Sequence, residues 1–294
     1  MSLLQKMAES VRNKFHPLHR LRRSRTYQNF IRPAFDFPVP ARLGLRHPVS
    51  LRLLTHFSFL FLSNRMEAEA LATFKTIVKH LHPSQDSFLD VGANIGLYSW
   101  HALDACPDLH VAAFEPDPRN VQLLKRTSQK WGVQNLIVHA QAASNALGTA
   151  SFSQDLLSSA TGSLEQSEPS FAEQHYGQRA CNIRVATTTL DLATKDMPPP
   201  ALVKIDVEGH EQAVLEGASE LLERSRPILL IESFGERAEA VRNILNPLGY
   251  QYIDADSGQH TSAETMNHLC LDPARTDPAL LRDLSQKNRI FETQ

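Results

Sequence analysis

Between residues 87 and 271, short apolar runs alternate with longer amphipathic stretches. This alternation restricts the fold more than any other feature of the chain. The apolar runs Ser87–Val91, His110–Phe114, Leu136–His139, Leu202–Ile205 and Ile228–Ile231 have the length and composition of buried strands. Between them, helices are expected over Ile95–Ala105, Pro118–Trp131, Glu211–Leu222 and Glu236–Asn246. Gln251–Ile253 and Leu269–Leu271 read as closing strands. Strands that alternate with helices pair in parallel through right-handed crossovers, which gives an α/β doubly wound sheet. In such sheets ligands bind beyond the carboxyl ends of the strands.

The flanking regions are less regular. A helix is expected over Glu67–His82, ending at the turn Pro83-Ser84-Gln85-Asp86. Residues 1–65 read as an irregular, partly helical extension, interrupted by Pro33, Pro38, Pro40 and Pro48. The organisation expected is therefore an N-terminal extension, 1–65, ahead of a domain spanning 66–294. Residues 144–190, rich in Ser, Thr, Gln and Glu, show no clear period. The apolar stretch Leu51–Leu62 carries Arg52 and His56. It falls short of the ~20 residues a bilayer span needs, so a buried helix or strand is expected there.

The formal net charge of −2 hides an asymmetry. Residues 1–52 hold 11 Lys/Arg against 2 Asp/Glu, a net of +9, which leaves −11 on the remainder. A basic arm on an acidic body suits an anionic membrane surface or an acidic partner, or else ion pairs with the body itself. Cys106, Cys181 and Cys270 are far apart and show neither metal-type spacing nor a disulfide framework. With no secretory signal pattern in residues 1–25, the expectation is a cytoplasmic protein, with peripheral membrane contact left open.

The segment Asp90-Val91-Gly92-Ala93-Asn94-Ile95-Gly96 follows a strand and opens a helix. Gly92 and Gly96 permit tight turning and close approach of a ligand. Asn94 stands where the dinucleotide fingerprint has its second glycine, the residue that admits a pyrophosphate. Asp90 at the strand end would repel a pyrophosphate. The same carboxylate suits a ligand bearing ammonium and sulfonium charge, and S-adenosylmethionine has both. Glu115, 19 residues beyond Gly96, ends the next strand, where an acid accepts hydrogen bonds from ribose hydroxyls.

A second constellation, Lys204-Ile205-Asp206-Val207-Glu208-Gly209-His210-Glu211, follows another core strand. Asp206, Glu208 and His210 are the catalytic candidates, and an imidazole of ordinary pKa, about 6.5, is suited to act as a base. Glu211 at the helix start reads equally well as a cap favoured by the dipole. Glu232 ends the next strand, so Asp206 and Glu232 could share a substrate or a divalent ion. No metal motif supports that ion, and no metal-ligand set is assigned.

These segments resemble the FkbM-type methyltransferases. The likeness runs through Leu89–Ser99, Phe114–Pro118, Thr189-Leu190-Asp191, Val203–Glu211 and Arg226–Glu232, covering roughly residues 66–255. The resemblance implies a class I methyltransferase fold, Rossmann-like with seven strands, and S-adenosylmethionine as cofactor. It implies methylation of a hydroxyl on a small molecule or glycan. Asp90, Gly92, Asn94, Gly96 and Glu115 would bind the cofactor, and Asp206 to Glu211 would border the catalytic centre. The chain has neither an Asn/Asp-Pro-Pro-aromatic segment after the fourth core strand nor a Pro-Cys nucleophile pair. With no aromatic stacking series in the basic arm, no specific nucleic-acid partner is expected. The rival readings are a nicotinamide-dependent oxidoreductase, which the Gly92/Gly96 spacing opposes, and a non-catalytic protein that keeps the fold.

Overall fold

A computed structural model describes residues 24–62, 68–156, 159, 162–164, 181–262 and 264–288. Its centre is a seven-stranded sheet made of β3 (Ser87–Val91), β4 (His110–Phe114), β5 (Leu136–His139), β9 (Pro200–Ile205), β10 (Ile228–Glu232), β11 (Gln251–Asp254) and β12 (Asn267–Leu271). The order across the sheet is β11-β12-β10-β9-β3-β4-β5. β12 alone runs antiparallel to its neighbours β10 and β11. The strand order reverses between β3 and β9, which pair in parallel, so a crevice opens beyond their carboxyl ends.

The expected alternation holds because these strands are covered on both faces. Side chains of successive strand residues point to opposite faces. Phe88, Val111 and Leu202 join one core with Phe74 and Trp100. Leu89, Ala112 and Val203 join the other core with Val214, Leu221 and Val241. The first core is covered by α3 (Ala68–Val78), α4 (Leu97–Ala105) and α10 (Pro278–Asn288), and the second by α7 (Glu211–Glu216), α8 (Ser219–Ser225) and α9 (Glu236–Leu245). Helix α5 (Pro118–Trp131) opens on Asp117, whose side chain accepts from Arg119 N, and closes on Gly132 in the left-handed region.

Three departures from the sequence expectation have physical causes. The single helix expected over 211–222 is divided at Gly217, where a Cβ would lie 2.0 Å from the Ser144 carbonyl oxygen. The region from 144 to 190 contains two strands, β7 (Gly148–Gln154) and β8 (Cys181–Thr188), which pair antiparallel and form a small sheet with β6 (Ala142–Ala143) just before it. Its strands are half exposed and rich in Ser and Thr, so they lack a strong apolar signal. The stretch Leu51–Leu62 is neither one helix nor one strand. It ends β2 (Val49–Arg52), turns, and then forms α2 (Phe57–Leu62).

The extension is packed onto the domain where it is described. β1 (Pro38–Ala41) and β2 make an antiparallel hairpin, and Leu51 packs with Ile95 and Leu123 at the starts of α4 and α5. Ser50 N donates to Thr127 Oγ1 at 2.9 Å, and Trp131 Nε1 to the Pro48 carbonyl at 3.0 Å. Arg46 pairs with Asp104 at 3.0 Å. The boundary expected near residue 65 falls among residues 63–67, outside the described set. No helix of the described residues is long and apolar enough to cross a membrane.

Candidate functional site

The crevice at the β3/β9 reversal is a cleft whose walls come from three loops. The loop after β3 supplies Gly92, Asn94 and Ile95, the turn after β4 supplies Glu115 and Asp117, and the loop after β9 supplies Asp206, Glu208 and His210. The fold therefore brings seven of the eight residues singled out from the sequence to this region as cleft lining or as loop backbone beside it. Asp90 is the exception, because its side chain does not line the cleft.

Asp90 is 1% exposed and set back from the cleft lining. Its Oδ2 accepts from Ser99 N at 3.0 Å and from Ser99 Oγ at 2.6 Å, so it ties β3 to the first turn of α4. Burial pushes its pKa up, against the opposing influence of Lys204 and of the Ser99 hydrogen bonds. Lys204 is Asp90's cross-strand partner in the β3–β9 register. Ser99 and the cross-strand Lys204 thus give Asp90 an internal bracing role, while its Oδ1 is buried with no hydrogen-bond partner among the described residues.

The glycines answer first to protein packing. Gly92 has φ +77, and a Cβ there would lie 1.8 Å from the Asp206 carbonyl oxygen. Gly96 has φ +83, and its Cβ would lie 2.5 Å from Leu124 Cδ2 and 2.7 Å from Trp100 Nε1. No L side chain fits such a backbone and such space without displacing neighbours. Asn94 also adopts a positive φ, +53. Its backbone N–H donates to Glu115 Oε2 at 2.7 Å, and its Nδ2 donates to the Ser159 carbonyl at 2.9 Å. Asn94 Oδ1 is buried with no hydrogen-bond partner among the described residues.

Glu115 is 5% exposed. Its Oε1 accepts from Asp117 N at 2.8 Å, so both carboxylate oxygens are held by main-chain donors. Burial pushes its pKa up to about 7, and the Asp117 charge acts in the same direction, while these N–H bonds oppose the rise. Asn120 adds a side-chain hydrogen bond to the same carboxylate, which leaves it acceptor capacity for a further donor.

On the opposite wall, Lys204 Nζ donates to Asp206 Oδ2 at 2.8 Å and lies 4.8 Å from the centre of the Tyr98 ring. Glu208 sits on a left-handed backbone, φ +53, and its carbonyl accepts from Ser163 Oγ at 2.9 Å. His210 lies at the N-cap position of α7, with its Nε2 2.9 Å from Ser144 Oγ. Glu211 is turned inward. Its Oε1 accepts from Gly209 N at 2.9 Å, and burial pushes its pKa up. That contact braces the turn ahead of α7, whose N-cap His210 makes no side-chain cap bond. Glu232, at the end of β10, also lines the cleft. Among the described residues no group of three or more His, Cys, Asp or Glu side chains is arranged to hold a metal.

Several lining residues escaped the sequence reading. Phe59, from the extension, and Phe152, from β7, add apolar wall, and Asn120 and Ser159 join the polar side. Lys204 had a signal, a lysine in the otherwise apolar strand Leu202–Ile205, but its partners were invisible before folding. Phe59 and Phe152 had none, because their elements lie outside the alternating pattern.

The arrangement is a cleft rich in hydrogen-bond acceptors, bordered by the ion pairs Lys204–Asp206 and Arg119–Asp117. The family described as the methyltransferase FkbM domain matches residues 90–252. The hexuronic acid methyltransferase AglP of Haloferax volcanii is 31% identical over 142 residues, which is 47% of this chain and 52% of that protein. The chain therefore spans about half the length of this curated relative. A crystal structure of the methyltransferase FkbM from Methylobacillus flagellatus KT aligns with a TM-score of 0.45 at 18% identity, covering 64% of this chain and 43% of that one. The tRNA (uracil-54, C5)-methyltransferase of Pyrococcus abyssi, in complex with S-adenosyl-L-homocysteine, aligns with a TM-score of 0.40 at 11% identity, over 80% and 43%.

Proposed function

We propose, for a chain that belongs to the methyltransferase FkbM family, that it transfers a methyl group from S-adenosylmethionine to a hydroxyl of a glycan or small molecule. The relative that methylates a hexuronic acid supports a sugar-like acceptor. The observation that carries the reading is the acceptor-rich wall. Glu115 is held at the cleft by Asn94 N and Asp117 N, and Asn94 Oδ1 is buried without a partner beside it. Such a wall suits ribose hydroxyls and an ammonium group, and it is a poor match for the pyrophosphate of a nicotinamide dinucleotide. Asn94 fills the position where the dinucleotide loop needs a glycine, and its side chain is tied to Ser159.

Bound S-adenosylmethionine supplies an electrophilic methyl carbon on a sulfonium that departs as a neutral thioether. The protein's part is to hold, orient and deprotonate. Glu115 would accept from the ribose hydroxyls, Asn94 Oδ1 would accept from a ligand N–H, and Gly92 and Gly96 would let the loop backbone lie against the ligand. Asp90 would brace that loop through Ser99. On the facing wall, His210, Glu208 and Asp206 are the candidates to take the acceptor's hydroxyl proton. Asp206 is already neutralised by Lys204 at 2.8 Å, which suits it to orienting the acceptor. His210 and Glu208 are then better placed as bases, a role typically worth about 10²–10⁴-fold. Positioning contributes the rest, because the leaving group is already good. On this reading residues 66–294 form the catalytic domain, and the extension 1–65 adds Phe59 to its wall.

Calorimetric titration with S-adenosylmethionine and with NAD tests the cofactor. NAD binding the tighter of the two would overturn the proposal. Mass spectrometry for a ~14-dalton gain across hydroxylated small molecules and glycans tests the acceptor, with the methyl mass as the chemical signature of the transfer.

A further inference from the structure

The loop that follows β6 grips α7 at both ends. At the start of that helix, Ser144 Oγ and His210 Nε2 are 2.9 Å apart. At its last residue, Asn145 Nδ2 donates to Glu216 Oε2 at 2.8 Å. Just beyond, a Cβ on Gly217 would lie 2.0 Å from the Ser144 carbonyl oxygen, so only a glycine lets the loop sit so close to the helix end. The main chain of the loop is tied to β8 as well. Ser144 N donates to the Thr188 carbonyl at 2.8 Å, and Thr187 Oγ1 donates to the Ala146 carbonyl at 2.8 Å. Ser144 is buried, and the hydroxyl it offers to His210 stands on a backbone fixed from two sides.

The histidine needs such a hold. It follows Gly209, whose φ is +109, and it occupies the N-cap position of α7 without making a side-chain cap bond. The imidazole is therefore not spent on its own helix. It lines the cleft and directs Nε2 across to Ser144. A hydroxyl is a suitable partner for a base. It donates to a ring nitrogen that carries a lone pair and accepts from one that carries a proton, so the contact survives proton transfer in either direction. A base must also lie within hydrogen-bond reach of the proton it takes, which is a demand on orientation before it is one on acidity.

We infer that Ser144 is the positioning residue for His210: its hydroxyl holds Nε2 and so sets the orientation of the imidazole in the cleft. The inference rests on the reading of His210 as the base in the proposed transfer. In that step the acceptor's O–H bond breaks and its proton passes to the imidazole. The oxygen forms a bond to the methyl carbon, and the sulfonium sulfur keeps the electron pair of the broken S–C bond and leaves as a thioether. Ser144 enters the step only through the ring it holds. Asn145 supplies an internal control, because it grips the far end of the same helix and has no contact with the ring.

Two measurements on the full chain test this. The first needs no turnover. In protein labelled with nitrogen-15 at histidine, the His210 signals are those lost in His210→Ala. Ser144→Ala should move the Nε2 resonance, and Asn145→Ala should leave it in place. The second uses S-adenosylmethionine with D-glucuronic acid as the probe acceptor and reads S-adenosylhomocysteine. Ser144→Ala should lower kcat by about tenfold or more, the loss expected for a hydrogen bond to a group that becomes charged. KM for S-adenosylmethionine should not change, and Asn145→Ala should keep the native kcat. The double variant Ser144→Ala/His210→Ala should be no slower than His210→Ala, because a residue that acts only through the ring has nothing left to act on. If Ser144→Ala misfolds, Ser144→Cys, similar in size and a weak hydrogen-bonding partner, must give the same changes.

An Nε2 resonance that ignores the loss of the hydroxyl overturns the inference. So do additive losses in the double variant, or equal losses of kcat in Ser144→Ala and Asn145→Ala, since the loop then merely packs the helix. A loss of about 10²-fold in His210→Ala beside a native rate in Ser144→Ala overturns the inference and leaves the base assignment standing. A native rate in His210→Ala overturns both. If the native chain leaves glucuronic acid unmethylated, that acceptor is wrong, and the resonance alone decides whether Ser144 holds the ring.

Discussion

Glu115 gives the sharpest quantitative test of the cleft. Its carboxyl is buried, and burial raises its pKa to about 7 in the unliganded protein. A ribose that donates two hydroxyls needs the ionised form. Below the raised pKa a proton must therefore leave before the ligand is held, and binding is linked to proton release. The sign follows directly. At pH 8 the group is mostly ionised and affinity is near its maximum. At pH 6 only about a tenth is ionised, so the apparent dissociation constant should be about tenfold higher. Near pH 7 about half a proton should be released per ligand bound, read from calorimetry in buffers of different ionisation enthalpy. In Glu115→Ala the loss of hydrogen bonds to a charged group, roughly 1.5–3 kcal/mol or more, should cost about tenfold to over a hundredfold in S-adenosylmethionine affinity. Glu115→Gln should flatten the pH dependence. The same burial has a stability consequence. A carboxyl whose folded pKa exceeds its unfolded value costs nothing below about pH 4.5 and costs the full difference above about pH 7. At about 1.4 kcal/mol per pKa unit, that difference is about 3 kcal/mol. The ligand-induced rise in melting temperature should therefore be larger at pH 8 than at pH 6. An affinity that ignores pH between 6 and 8, in a folded protein whose Glu115→Ala variant binds normally, would refute the reasoning.

Other perturbations separate the roles of the remaining residues. Glu208→Gln or His210→Ala should lower turnover by about 10²-fold or more while cofactor affinity moves little. If Asp206→Asn, Glu208→Gln and His210→Ala all turn over normally, the loop after β9 is structural. Turnover that survives EDTA supports the base role, whereas loss in EDTA with rescue by magnesium would move Asp206 and Glu232 to a metal role. Gly92→Ala should destabilise the fold by roughly 2–4 kcal/mol in denaturant titration, since its Cβ position is taken by the Asp206 carbonyl. A neutral result there would mean the loop can move. At Asp36, burial would raise the pKa, but hydrogen bonds from Thr55, Arg52 and Leu54 prevail and hold it below its usual value. Its contribution is thus present above about pH 4 and is lost as acid protonates the folded form. Arg52→Ala should remove roughly 1–3 kcal/mol at neutral pH and less at pH 3, measured by thermal melts across that range.

The parts of the fold legible in sequence are those covered on both faces. Phe88 and Leu89 are adjacent and serve opposite cores, which makes β3 read as an uninterrupted apolar run. β7 and β8 contribute only Phe152, Val185 and half-buried neighbours to a small cluster, so the same reading finds no period there. The hairpin β1–β2 hides among prolines that suggested irregular chain, and its register is fixed by α4 and α5 rather than by its own four-residue strands. Within the site, residue types at strand ends were enough to find Glu115 and the loop after β9, because topology alone sends strand ends to the crevice. Side-chain direction was not legible. Asp90 and Glu115 both end core strands, yet one faces Ser99 and the other the cleft. That choice depends on which donor lies nearest once α4 and α5 have docked.

The packing also explains why the two functional loops cannot be varied independently. Gly92 N and Ala93 N both donate to the Phe114 carbonyl at 3.0 Å, and Asp206 N donates to the Val91 carbonyl at 3.0 Å. The loop after β3 is thus bonded to the strand that ends in Glu115 on one side and to the loop that carries Asp206 on the other. The missing Cβ of Gly92 is what lets the Asp206 carbonyl come so close. A side chain at residue 92 would therefore displace Glu115 and the loop that carries Asp206 together. Two of the five described non-glycine residues with positive φ lie at the same junction, Asn94 and Glu208, both at φ +53. Left-handed backbone at non-glycine residues costs of order 1–3 kcal/mol each and persists only where surroundings dictate it. Here Glu115 and Ser159 hold Asn94, while Ser163 holds Glu208. Asn94→Gly removes the strain together with the side-chain bond to the Ser159 carbonyl, whereas Glu208→Gly removes the strain and the carboxylate but keeps the carbonyl that Ser163 Oγ holds. Stability should then rise or stay level while turnover falls, and a variant that gained stability without losing turnover would show the strain to be incidental to the reaction.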